Sequence, residues 1–195
     1  MKPLETLLAH RRTLRVMGFD DAPFEKRVGA PVDVAGVVCA GTRFEGLVWG
    51  TATRDGDDAT AVMQRLLLDS KFADQVHLVL IDGLAVGGFN LVDLPRLASA
   101  VGRPCVAVMR KPPDMPAIRR ALARFDDVDR RLSLIERAGP IHRDGPFVFQ
   151  VAGAGPAVIA RALSALTDRG YVPEALRIAH LIGAAVKTGQ SGKRA

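Results

Sequence analysis

Apolar and polar positions along the chain divide it into an extended first third and a mostly helical remainder. "LRVMGFD" (14–20) reads as a strand, followed by a loop rich in Pro, Gly and charge, "DAPFEKRVGAP". "VDVAGVVCAG" (32–41) and "RFEGLVWGTATR" (43–54) are two extended runs joined by a short Gly-containing turn, the signature of a hairpin. The simplest arrangement of these three strands is antiparallel.

The pattern then switches to period 3.6. In "DDATAVMQRLLLDSKF" (57–72), Ala59, Val62, Met63, Leu66 and Leu67 share one helical face, with Asp57 or Asp58 placed as N-cap. "QVHLVLIDG" (75–83) is nearly continuous in apolar residues, as a parallel strand covered on both faces must be. "NLVDLPRLASAVG" predicts a helix ending at Gly102, and "PCVAVMR" (104–110) the next buried strand. Helix "MPAIRRALARF", a charged helical stretch over 126–138, strand "PFVFQVAG" (146–153) and helices over 156–169 and 173–187 complete the order. The tail 188–195 is polar and expected to fray.

Three antiparallel strands followed by helix, strand, helix, strand is the order of the ribonuclease H-like α/β fold. It implies a mixed sheet with three antiparallel strands, then parallel strands, and helices on both faces. A doubly wound nucleotide-binding fold would alternate strand and helix from the start. No repeat or long linker divides the chain, so the expectation is one domain over 1–195.

Composition narrows the function classes. The 195 residues are 48% hydrophobic and 25% charged, an ordinary globular balance. Cys39 and Cys105 each sit in a strand-like run and read as buried thiols, with no zinc spacing or disulfide framework. The basic N-terminus lacks the apolar stretch of a signal peptide, and no run approaches a membrane span, so a cytoplasmic protein without membrane contact is expected. The net charge is +6, which favours phosphate-bearing partners, DNA or RNA among them. With one Trp, one Tyr and eight Phe, a platform stacking several single-stranded bases is not expected.

The candidate chemistry is carboxylate chemistry. Asp20 and Asp21 stand side by side at the end of the first strand, and Asp82 ends the first parallel strand; Asp55, Asp57 and Asp58 lie between the third strand and the first long helix. Strand ends beside a change in connection order border one crevice, so acids distant in sequence can converge there. Crowded carboxylates repel, and a divalent cation relieves them: Mg²⁺ takes hard oxygen ligands. Two such ions can activate water and stabilise a phosphodiester's leaving oxygen. Against this stands ordinary turn and cap duty, which explains any one of these aspartates alone. Asp55 in "RDGD" fits a pure turn residue, and Asp93 a cap or solvated group. His180 falls near the border of the apolar face of "VPEALRIAHLIGAAVK", where a packed histidine and a catalytic one look alike. Lys111 can meet a phosphate or idle in solvent. "VAGAGPAVIARAL" imitates a dinucleotide fingerprint, but Val158 replaces the third glycine and Pro156 interrupts the loop, so a tight turn before a helix is expected.

"RVMGFDDAPF", "DGDDAT", "GGFNLVDLPRL", "VAVMRKPPD" and "PEALRIAHLI", in that order over roughly residues 14 to 190, resemble an archaeal family of uncharacterised proteins (domain of unknown function ninety-nine) related to endonuclease V. The resemblance implies a ribonuclease H-like fold. It also implies Mg²⁺- or Mn²⁺-dependent cleavage of DNA or RNA by an acidic centre. Asp20 matches the catalytic Asp ending the family's first strand, and Asp82 the second acid in its "DG". Asp57 or Asp58 stands where a glutamate precedes the first helix, and His180 where a His or Asp follows "PEP-R-A". Lys111, or Arg110 one register earlier, matches a lysine after the later parallel strand. Endonuclease V carries "PYIPG" and a His-Pro-Arg run where this chain has "WGTATR" and "LAVGGFN", so inosine specificity is not implied.

Three readings follow: a metal-dependent nuclease using Asp20, Asp82, Asp58 or Asp57, His180 and Lys111; a nucleic-acid-binding protein that keeps the fold without turnover; and an enzyme or interaction subunit with another phosphate-bearing ligand. The first requires the carboxyl carbons of Asp20, Asp82 and Asp57 or Asp58 to lie within about 8 Å of one another, as ligands of shared hard cations must.

Overall fold

The computed structural model describes residues 3–191. Its strands are β1 (Arg15–Asp21), β2 (Pro31–Ala40), β3 (Arg43–Thr53), β4 (Leu78–Asp82), β5 (Ala85–Val86), β6 (Asn90–Leu91), β7 (Cys105–Met109), β8 (His142–Asp144) and β9 (Phe147–Ala152). The helices are α1 (Leu4–Ala9), α2 (Ala59–Leu68), α3 (Leu94–Val101), α4 (Met115–Leu122), α5 (Val128–Arg137), α6 (Pro156–Ala165) and α7 (Glu174–Thr188). Seven strands form one sheet in the order β3-β2-β1-β4-β7-β9-β8, and β5 and β6 pair separately as a small hairpin.

The antiparallel trio expected from the first third of the chain is present, with β1 against β2 and β2 against β3. β4 then joins the free side of β1 in parallel and β7 joins β4 in parallel. β9 departs from the expected run of parallel strands, since it lies antiparallel to β7. Its partner β8, a three-residue strand that the sequence pattern does not reveal, turns back on it through Gly145 to close that edge.

Both faces of the sheet are covered, which is why its inner strands are apolar without alternation. On one face Val16, Leu78, Leu80, Val106 and Phe149 pack against α1, α6 and α7. On the other Met17, Phe19, Val79, Ile81 and Ala107 pack against α2 and α3. Cys39 and Cys105 are buried free thiols; burial pushes Cys39 up to about 11 and raises Cys105 as well, so neither is a ready nucleophile. Among the described residues, no helix is long and apolar enough to cross a membrane.

The helix expected from Asn90 starts only at Leu94. Asn90 and Leu91 are instead taken by the β5–β6 hairpin, and Asp93 caps α3 by accepting a hydrogen bond from the Arg96 amide. α1 is an unforeseen element, held by buried Leu4 and Leu7. At "VAGAGP" Gly153 turns the chain with φ of 87° and Pro156 opens α6, the tight turn expected there. α7 ends at Thr188 with Gly189 in the left-handed region; of the tail expected to fray, residues 192–195 lie outside the described residues.

α7 lies directly on β1. A Cβ at Gly18 would stand 2.8 Å from the carbonyl carbon of Ala175 and 2.9 Å from its Cβ. Only a glycine lets the helix backbone approach this near. Gly18→Ala is therefore expected to lower the free energy of unfolding by about 1–3 kcal/mol, as overpacking of a tight core does, measured by denaturant titration.

Candidate metal centre

Successive side chains of a strand point to opposite faces, so the adjacent aspartates of β1 part company. Asp20 turns toward α7, where His180 Nδ1 lies 2.9 Å from its Oδ2. Asp21 turns toward the β5–β6 hairpin, where its Oδ2 accepts a hydrogen bond from the Gly87 amide at 2.5 Å. The peptide between them is held as well, because the Asp21 amide donates to Asp20 Oδ1 at 2.9 Å.

β4 brings in the second carboxylate. The parallel register sets Phe19 beside Ile81, and so Asp20 beside Asp82 on the α7 side. One ligand atom each from Asp20, Asp82 and His180 all lie within 4.8 Å of one another. This is a donor set of two carboxylate oxygens and one imidazole nitrogen, and it could bind a metal ion. Arg110, just past β7, reaches in from the next strand with Nη2 3.3 Å from Asp82 Oδ2.

The electrostatics of this group are unfavourable for a carboxylate left to itself. Burial, then the charges of Asp82 and Asp21, push Asp20 up to about 8, and the Asp21 amide and Arg110 relieve this only in part. Asp21 is raised too, chiefly by burial, with the Gly87 amide opposing.

The other acids named from the sequence do other work. Asp58 stands at the start of α2, but its Oδ1 accepts from the Thr53 amide (3.0 Å) and Asn90 Nδ2 (2.6 Å), and its Oδ2 from Thr53 Oγ1 (2.8 Å). Burial works against its ionised form, but these hydrogen bonds prevail and hold its pKa below the usual carboxylate range. Both oxygens accept hydrogen bonds in a turn, and Asp58 is not part of the tight group formed by Asp20, Asp82 and His180. Asp57 is exposed, lies 3.6 Å from Arg130, and is likewise not part of that group. Lys111 is exposed and makes no ion pair among the described residues. Arg110 is the cation at the centre because it continues the side of β7 that carries Val106 and Val108, whereas Lys111 falls one residue out of phase. Asp93 caps α3 and pairs with Arg137 at 3.1 Å.

Asp21 is the acid that sequence reasoning left without a role; the doubled "DD" was its only signal, and its partner Gly87 is far along the chain. Asp55 does adopt the turn geometry expected of it, with φ of 56°, yet its carboxylate is buried and accepts a hydrogen bond from the Phe89 amide. Arg131, buried on α5, donates to the carbonyls of Asp55, Gly56 and Phe89 while Asp127 anchors its Nε. The loop after β3 and the β5–β6 hairpin are thus tied to each other, and through Gly87 to Asp21.

Three comparisons with known proteins bear on this arrangement. A family model described as endonuclease dU matches residues 12–187. The chain is 40% identical over 183 residues, 91% of its length and 90% of the other's, to a UPF0215 protein of Methanothermobacter thermautotrophicus. A crystal structure of a protein of unknown function from Archaeoglobus fulgidus superposes with a TM-score of 0.84 at 35% identity, covering 89% of this chain and 98% of that one. Ciona intestinalis endonuclease V, solved with a DNA containing an inosine followed by a ribo-adenosine, superposes with a TM-score of 0.55 at 12% identity, covering 87% and 84%. The fold is therefore the ribonuclease H-like fold of endonuclease V.

Two outcomes follow from the geometry. In metal-free protein, Asp20 keeps a proton up to about pH 8 when folded but loses it near 3.8 when unfolded. The folded state then binds the extra proton between those values, so this residue's contribution to stability falls as pH rises through that window. Asp20→Asn removes the effect. Its unfolding free energy in chelator should exceed the wild type's at pH 8 by more than about 1.4 kcal/mol, the worth of one pKa unit, with a much smaller gain at pH 5. Asp58→Ala leaves Thr53 and Asn90 donors unpaired and should cost about 1–3 kcal/mol of stability, with Mn²⁺ affinity by calorimetry unchanged.

Proposed function

The chain belongs to the endonuclease dU family, and from that premise we propose that it is a nuclease hydrolysing a phosphodiester of DNA or RNA with a divalent cation, Mg²⁺ or Mn²⁺. The observation that carries this reading is the convergence of Asp20, Asp82 and His180 from β1, β4 and α7 on one point. The donors suit such an ion. Two hard carboxylate oxygens are what Mg²⁺ and Mn²⁺ prefer. The raised pKa of Asp20 supports the same reading, because a positive charge beside this buried carboxyl favours its ionised form.

Each residue then has a distinct task. Asp20 and Asp82 present the oxygens that hold the cation. His180, with Nδ1 2.9 Å from Asp20 Oδ2, positions that carboxylate. Arg110, half-exposed beside Asp82, would meet a non-bridging phosphate oxygen of a strand held there. A bound divalent ion supplies Lewis acidity at the phosphoryl oxygen and a more acidic water.

The family's description, endonuclease dU, makes a strand carrying deoxyuridine the first substrate to try. The DNA in the Ciona endonuclease V structure supports a nucleic-acid strand as partner but not inosine as the base, since the segments at "WGTATR" and "LAVGGFN" differ.

The test is a cleavage assay on uracil-containing single- and double-stranded oligonucleotides with Mg²⁺ or Mn²⁺. Wild type should cut, chelator should stop it, and Asp20→Asn and Asp82→Asn should each lose more than about 100-fold in rate, beyond the loss typical of outer-shell partners; His180→Ala should lose about 10–100-fold. Strand binding that survives chelation without any cut would favour a binding protein on the same fold, and would sink the nuclease reading.

A further inference from the structure

At the same end of the sheet as the metal centre, around the rim toward the α2–α3 face, lies an apolar cavity of about 180 Å³. Its walls include Leu84, Phe89, Met109, Met115 and Ile118. Leu84 follows Asp82 by two residues and Met109 immediately precedes Arg110, so the strands that carry the metal centre also carry the cavity. The one polar side chain in its lining is Gln150 of β9, which the antiparallel register sets beside Ala107 of β7.

Gln150 is only 4% exposed. Its Nε2 donates to the Gly139 carbonyl at 2.7 Å. That acceptor can be met only by the NH₂ end of the amide, so the orientation of the side chain is fixed. Oε1 makes no hydrogen bond among the described residues, and it is not one of the sealed polar atoms. A buried amide thus offers one open acceptor to an otherwise apolar cavity.

We propose that this cavity receives one nucleobase turned out of the strand, and that Gln150 Oε1 accepts a hydrogen bond from its ring N–H. The proposal rests on the nuclease reading for the presence of a strand, and it names the class of base. The cavity suits a single flat ring system, with aromatic and thioether walls to cover its faces. Basic residues adjoin its lining in the chain: Arg110 and Lys111 follow Met109, and Arg119 and Arg120 follow Ile118 on α4, with Arg110 beside Asp82 and Arg119 beside Glu136; such cations are what flanking phosphates meet.

The chemistry of the open acceptor decides which bases fit. Uracil at N3 and hypoxanthine at N1 carry a hydrogen there. Cytosine and adenine carry a lone pair at the same ring positions, which would face the Gln150 oxygen with no proton between them. A fixed acceptor therefore separates each deaminated base from its own parent. Thymine and guanine also carry a ring N–H, so excluding the methyl of one and the 2-amino group of the other falls to the cavity walls.

The experiment measures binding in chelator, so that it does not depend on cleavage. Wild-type protein is titrated by fluorescence anisotropy into single strands identical except for one central residue: uracil, cytosine, N3-methyluracil or an abasic site. The expected result is about tenfold tighter binding of uracil than of cytosine, the scale of one good base-edge contact, with N3-methyluracil bound no better than cytosine. Gln150→Leu should bring uracil and cytosine within about threefold of each other while leaving affinity for the abasic strand unchanged. Equal binding of uracil and N3-methyluracil by wild type would overturn the proposal, and this arm stands even if Gln150→Leu fails to fold. So would an undiminished preference for uracil in a folded variant. Uracil preference in binding without cleavage would uphold the pocket and remove the nuclease reading. Metal-dependent cleavage without base preference in binding would do the reverse.

Discussion

The near contact between α7 and β1 is the constraint on which the candidate centre depends. His180 belongs to the last long helix and Asp20 to the first strand, 160 residues apart, and they meet because Gly18 lets the backbone of Ala175 lie against the sheet. About two turns further on, Gly183 comes close to Ala22 in the same way, with 3.1 Å between a notional Cβ and the Ala22 Cα. Two positions without side chains thus seat the helix over the end of β1. The sheet supplies the rest by register, since parallel pairing of β1 with β4 sets Asp82 level with Asp20.

Much of this was legible from residue order. Continuous apolar runs gave β4 and β7, the 3.6-residue period gave α2 and α7, and acids at two strand ends gave Asp20 and Asp82. What was not legible has a common physical cause: it depends on contacts between distant segments. The β5–β6 hairpin is two residues on each side, too short for any period, and it is held by Asp21, Asp55 and Arg131 from three other elements. Asp58 looked like a ligand because of its place before α2, yet the partner that occupies its Oδ1, Asn90, lies in that same unforeseen hairpin. The direction of β9 depends on β8, a strand of only three residues. Arg110 was visible only as one of two registers, and alternation along β7 chose between them.

The charge distribution has two layers. Asp20 and Asp21 are buried at the end of β1, where desolvation and neighbouring carboxylates favour their protonated forms and would favour a cation. Arg110 and Lys111 follow β7, and Arg119 and Arg120 lie on α4. Such an arrangement draws a polyanion by long-range attraction while refusing its phosphates a place against the acids until these are neutralised. Under the nuclease reading, ion occupancy and strand seating would thus be coupled by simple electrostatics.

The divergence of Asp20 and Asp21 has a geometric consequence. A single peptide unit separates the carboxylate that faces the cation position from the one that grips the hairpin beside the apolar cavity, and that peptide is itself fastened by the Asp21 amide. Nothing flexible lies between the two. The molecule is built like a caliper with one jaw on each side of the strand ends, and under the proposed nuclease reading such a gauge would set how many nucleotides separate the recognised base from the bond that is cut.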